Sequence, residues 1–209
     1  MRPQGWRVQH ACSIEQRPNI VRGNIMSRLP DLDPAKFSTE QKQVHDAVLA
    51  GPRGKVVGPI KVWLKNPGLA EHAQALGAYC RFNSSLPPRL SELAILVTGS
   101  FWKANYEWYA HAPIAMKAGI EPAAVEAIRT GATPTFTRSD DQAIYDFASE
   151  LVTTKRVSNA TFERAKKELG ETSVIDLVGI IGYYSLVSVT LNAFELPLPD
   201  GEKAPFDIP

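Results

Sequence analysis

The stretch SFWKANYEWYAH, residues 100 to 111, holds Glu107 and His111 four positions apart. On a helix that spacing puts both side chains on one face. A carboxylate beside an imidazole can orient the ring and relay its proton, which is the equipment of a general acid or base. A surface glutamate beside a core histidine has the same spacing, so both readings stay open on spacing alone. Glu92, in RLSELAILVTG, poses a matching question. Its carboxylate sits among Leu90, Leu93, Ala94, Ile95 and Leu96, and an unpaired buried carboxylate is costly. It either turns to a polar helix edge or is buried against a partner.

Other candidates for chemistry are thinner. Cys12 and Cys80 are the two cysteines, far apart and outside any C-x-x-C. Zinc and dithiol motifs are therefore absent, and a secreted disulfide framework is not expected. Cys80 reads as a thiol buried among Leu76, Tyr79 and Phe82. His45 and His72 fall on other predicted helices, so a metal site would lack ligands and no metal is expected. The segment GPRGKVVGP fails the spacing of a phosphate loop and reads instead as a Gly/Pro loop shaping a pocket rim. The aromatic run Phe101, Trp102, Tyr106, Trp108 and Tyr109 is either core and subunit-contact material or an apolar wall around a small organic substrate.

These residues need helices to position them, and helical periods dominate the chain. Ser38 with Gln41 forms a capping-box pattern before a helix that stops at Gly51-Pro52. Asn66 and Pro67 suit the cap and first position of another, after a short apolar piece from Ile60 to about Leu64. Leu90, Leu93, Ala94, Val97 and Phe101 recur at helical spacing, in a helix that should be deeply buried. The next helix runs from Lys103 to Lys117, with a kink expected at Pro113 and Gly119 as a left-handed cap. A short helix ending at Gly131 follows, then one capped by Ser139 with Gln142 and one capped by Ser158 that ends at Gly170. The last is a long apolar helix after Thr172. The expectation is a single all-α domain of roughly eight helices over residues 29–199, with an N-terminal extension over 1–28 and a C-terminal tail over 200–209.

Bulk properties set the outer limits. The chain has 209 residues, 44% hydrophobic and 22% charged, with a formal net charge of +1. That composition supports one globular core, and without a basic stripe nucleic acid is not an expected partner. The first 25 residues are polar and Arg-rich without an apolar leader, so a cytoplasmic location is expected, with that segment outside the fold. The run VIDLVGIIGYYSLVSVTL, residues 174–191, is long enough to span a membrane. It carries Asp176 and several hydroxyls and lacks basic flanks, so it reads as a core or interface helix, and no membrane partner is expected.

The segment PPRLSELAILVTGSFWKANYEWYAHAPIAMKAGIEPAAVEAIRTG, residues 87–131, resembles the carboxymuconolactone decarboxylase family, which includes the alkylhydroperoxidase D-like proteins. With the lead-in from GPRGKVVGP and the closing DLVGIIGYYSLVSVTLNAFELPLP, the resemblance covers most of Leu29 to Pro199. The family's peroxidase branch relays protons through a glutamate, a C-x-x-C and a histidine. Glu92 and His111 match the outer members of that relay, while the cysteine positions fall on Ala104 and Glu107. Missing both thiols, the chain resembles the decarboxylase branch more. That resemblance implies a cofactor-free lyase acting on a small carboxylated lactone or related organic acid, with a peroxidase-type antioxidant activity or a non-catalytic oligomeric binding protein of the same fold as the alternatives. It further implies a homotrimer or homohexamer. In that setting His111 is the proton donor, Glu107 its orienting or relaying partner and Glu92 a second relay member. Trp102, Tyr106 and Trp108 would line the substrate. Arg89 would clamp a substrate carboxylate, because a guanidinium binds one bidentately; the alternative is a surface arginine at a helix start.

Overall fold

The structure, a computed structural model, describes residues 27–208. Cys12 and the expectation that residues 1–25 stand apart from the fold lie outside the described residues. Nine α-helices appear among the described residues: α1 Thr39–Ala50, α2 Pro59–Trp63, α3 Pro67–Ala78, α4 Pro88–Phe101, α5 Asn105–Lys117, α6 Pro122–Thr130, α7 Ser139–Thr154, α8 Asn159–Leu169 and α9 Glu171–Ala193. The ninth is α2, made of the short apolar piece the sequence left unassigned. Pro59 opens it, and Ile60, Val62 and Trp63 are buried.

Local chemistry sets most helix ends. The Gln41 amide donates to Ser38 Oγ at 3.2 Å and the Ser38 amide donates to Gln41 Oε1 at 2.9 Å, closing the expected capping box. Asn66 and Ser158 cap α3 and α8 by accepting from the amides of Leu69 and Thr161. Ser139 does not cap α7. It is the first helical residue, and its hydroxyl donates instead to Glu168 on α8. α3 also stops earlier than its apolar pattern suggests, giving way to a π-helical turn over Tyr79–Asn83. α5 continues through Pro113 to Lys117.

α4 is the central helix and packs against α5, α7 and α9. Every residue from Leu90 to Gly99 is buried, so the helix has no polar edge along those three turns. α9 is long and apolar enough to cross a membrane by composition, yet most of it is buried inside the bundle. Its one buried acid, Asp176, is met there: it accepts from the Ser85 amide and hydroxyl, each at 2.7 Å, and from Tyr79 Oη at 2.8 Å. One stripe stays open, with Ile175, Val178 and Leu186 exposed.

Both ends of the described residues dock on the helices. The Arg28 amide donates to the Phe194 carbonyl and its guanidinium pairs with Glu195, so the packed body already includes residues 27–28. At the other end Phe206 is buried against Trp108, with ring centroids 5.3 Å apart. Asn105 accepts from the Phe206 amide and donates to its carbonyl, while Arg129 donates to the Pro205 carbonyl. This stretch packs on α5.

Candidate functional site

Glu92, Glu107 and His111 come together where α4 crosses α5. Each is only 4 or 5% exposed. Glu92 cannot turn away, because the whole circumference of α4 is covered at its level. Its Oε2 meets His111 Nδ1 at 2.6 Å. On the opposite side of the ring, His111 Nε2 lies 3.0 Å from Glu107 Oε1, one helical turn back on the same helix. That second contact has the distance of an ion pair without the alignment of a hydrogen bond, and Glu107 Oε1 is left without a hydrogen-bond partner. Gly99 of α4 faces the Glu107 side chain.

The electrostatics follow from this geometry. Burial alone would pull the His111 pKa down, because it disfavours the charged ring. The charge of Glu107 and the contacts with both carboxyls outweigh burial and raise the pKa to about 9. The ring is therefore an imidazolium at neutral pH. Tyr184 of α9 stands edge-on to it, with centroids 5.2 Å apart. Burial, followed by the charge of Glu107, pushes the Tyr184 hydroxyl well above its ordinary value, so it remains protonated. His111 is the one buried histidine among the described residues; His45 is partly exposed and His72 lies at the surface. Among the described residues, no group of three His, Cys, Asp or Glu side chains is arranged to hold a metal ion. The two carboxyls address opposite ends of the ring and do not converge on one point.

The substrate-side expectations fare differently. Arg89 is committed elsewhere: one terminal nitrogen meets Asp140 Oδ2 at 2.6 Å and the other pairs with Asp141. With 13% of its side chain exposed and both ends of its fork taken, it ties α4 to α7. That corrects its expected placement as a free carboxylate clamp. Trp102 is 37% exposed, packs edge-on to Phe101, and offers its carbonyl to Asn192. Trp108 is buried under Phe206. Tyr106 is half-buried, one residue from Glu107, with its ring against Gly58 of the α1–α2 loop. Cys80 is buried as expected, while Leu76, Tyr79 and Phe82 are each more than 40% exposed. A cavity of about 340 Å³ opens beside the start of α4, lined by Arg81, Ser84, Ser85 and Ser91 among others, and includes none of the three central residues.

Two residues near the site drew no notice in the sequence: Tyr183 and Tyr184. The available signal was the tyrosine pair itself, set inside an aliphatic helix where a buried hydroxyl needs a reason.

No family profile matches the sequence, and no characterised protein matches it in sequence. Solved structures do match in fold. An uncharacterised peroxidase-related protein from Silicibacter sp. TM1040 is 16% identical with a TM-score of 0.67, over 85% of this chain and 94% of that one. A peroxidase-related protein from Ralstonia eutropha JMP134, described as an alkylhydroperoxidase AhpD core, is 18% identical with a TM-score of 0.67, over 83% and 93%. The debrominase Bmp8 is 18% identical with a TM-score of 0.65, over 81% and 91%. A cysteine-to-alanine variant of that debrominase has been solved with 2,3,4-tribromopyrrole. The chain has the all-helical fold of the alkylhydroperoxidase D-like proteins.

Proposed function

We propose that this alkylhydroperoxidase D-like fold carries a cofactor-free lyase of the carboxymuconolactone decarboxylase type, acting by acid/base chemistry on a small carboxylated lactone or related organic acid. The observation that supports it is the state of the His111 ring. Glu92 holds Nδ1 by a short hydrogen bond, while the Nε2 proton sits near Glu107 without being committed to it. A charged ring fixed at one nitrogen and loosely held at the other is equipped to deliver a proton.

In the proposed step the bond between the substrate carbon and its carboxylate breaks, and carbon dioxide leaves. The electron pair stays on carbon and takes the Nε2 proton. His111 becomes neutral and regains a proton from water, so one carboxylate and one proton yield one carbon dioxide and one C–H bond. Glu92 keeps the ring oriented throughout, and Glu107 favours its return to the charged form. Trapping carbon dioxide from purified protein supplied with carboxylated lactones tests the reading. Release above the uncatalysed background is expected, and none from any of them would count against it.

Thiol chemistry has no place in this scheme. A peroxidase of this fold would need cysteines where Ala104 and Glu107 stand, and burial pushes the Cys80 thiol up, away from the reactive thiolate. Peroxide consumption with a thiol reductant should therefore be absent, before and after Cys80→Ser. Cysteine-dependent turnover of peroxide would replace the lyase reading with a peroxidase one.

Self-assembly into a trimer or hexamer belongs to the same proposal. Ile175, Val178 and Leu186 line one exposed face of α9, and Gly179 and Gly182 between them leave it open to close approach. Sedimentation at micromolar concentration should give a mass of three or six chains; a monomer would refute this part.

A further inference from the structure

A carboxylated substrate needs a cation to hold it, and Arg89 is occupied by Asp140 and Asp141. Arg53 is a different case. It lies in the Gly/Pro loop between α1 and α2, partly buried, and its Nη2 donates to Tyr183 Oη at 3.2 Å. Its Nε is buried and has no hydrogen-bond partner. A buried N–H left without an acceptor is costly, so the Arg53 Nε asks for a ligand. Tyr183 leads from Arg53 to the centre: its ring stands edge-on to Tyr184 at 5.3 Å, and Tyr184 stands edge-on to His111 at 5.2 Å.

Two glycines build this corner. A methyl group on Gly77 of α3 would fall onto both Tyr183 Oη and Arg53 Nη2, so only glycine lets the pair sit against that helix. Gly58, at a φ of 57°, lies under the Tyr106 ring and fastens the loop to the first turn of α5, beside Glu107. The loop is held to the site from both sides.

We infer that Arg53, steadied by Tyr183, is the anchor for an anionic oxygen of the substrate, and that this oxygen stays on the product. The inference rests on the lyase reading. The reason for retention is energetic. A guanidinium gripping the departing carboxylate would stabilise a charge the reaction must give up, strengthening the ground state more than the transition state. Grip on a retained carboxylate stabilises both alike and positions the breaking bond against His111. Burial, with smaller opposing help from Arg53, pushes Tyr183 up to about 12, so its hydroxyl stays a donor beside the guanidinium at any physiological pH.

Titration calorimetry with two probes tests the assignment: 5-oxotetrahydrofuran-3-carboxylate, whose one carboxylate stands in for the retained group, and uncharged γ-butyrolactone. Arg53→Gln should weaken binding of the carboxylated lactone by about 10- to 100-fold, the range for a hydrogen bond to a charged group, and leave the neutral lactone unchanged. Arg53→Lys should recover part of the loss, and Gly77→Ala should reproduce it by displacing the pair. Equal affinity of the natural protein and Arg53→Gln for the carboxylated lactone would overturn the anchor and leave the role of His111 untouched. Loss of both lactones in Arg53→Gln would make Arg53 a structural residue and also overturn it. Failure of the natural protein to bind either probe would overturn the anchor and the lactone reading together.

Discussion

Turnover of a carboxylated lactone should fall about 10²- to 10⁴-fold in His111→Gln, the usual effect of losing a general acid. Glutamine is the informative replacement. It can still donate to Glu92 but carries no transferable proton, so it separates chemistry from packing. His111→Ala should lose at least as much turnover and lose stability as well. Two buried carboxyls, Glu92 and Glu107, would be left facing a void without their cation. Breaking such a buried pair costs about 3–5 kcal/mol. Glu107→Gln should reduce turnover less than His111→Gln, because it removes the charge that raises the ring's basicity and leaves the proton donor in place. A His111→Gln protein with natural turnover would make the histidine a packing residue.

Stability should fall as pH rises from about 6.5 to about 9. His111 holds its proton with a pKa of about 9 in the folded chain against 6.5 for the free side chain. Its contribution is therefore complete below about pH 6.5 and is lost as pH climbs through about 9. The full difference corresponds to about 3 kcal/mol. Tyr184, the aromatic neighbour of the ring, stays neutral across this window and does not mask the effect. Urea unfolding at several pH values reads it directly, and His111→Gln should remove the slope. A natural protein equally stable at pH 6.5 and pH 9 would show that the ring is not charged when folded.

Local signals carried the helices and two of the three central residues, while long-range contacts decided the rest. The i, i+4 spacing of Glu107 and His111 was enough to place them on one face. The apolar run around Glu92 showed that its carboxylate needed a partner, though not that the partner was nineteen positions away. Ser38, Asn66 and Ser158 cap as their neighbours dictate. Ser139 does not, because the helix already includes it as the first residue, with Arg138 at the cap position, and its hydroxyl donates to Glu168 on another helix. Arg89 also takes partners that its own helix does not show, since Asp140 and Asp141 reach it from α7. Trp108 was legible as an apolar surface, but its cover is Phe206, almost a hundred residues later. The π turn at Tyr79–Asn83 escaped notice because its apolar pattern continues that of α3.

The central claim is that His111 delivers one proton to the carbon that loses carbon dioxide. The direct measurement is NMR of the product formed in deuterium oxide, with carbon dioxide counted in the same reaction and neither thiol nor peroxide present. One deuteron on the carbon that carried the carboxylate, for each carbon dioxide released and with little of either from His111→Gln, is the predicted result. Lactone left intact, while a thiol reductant and peroxide are consumed in a parallel reaction, would contradict it.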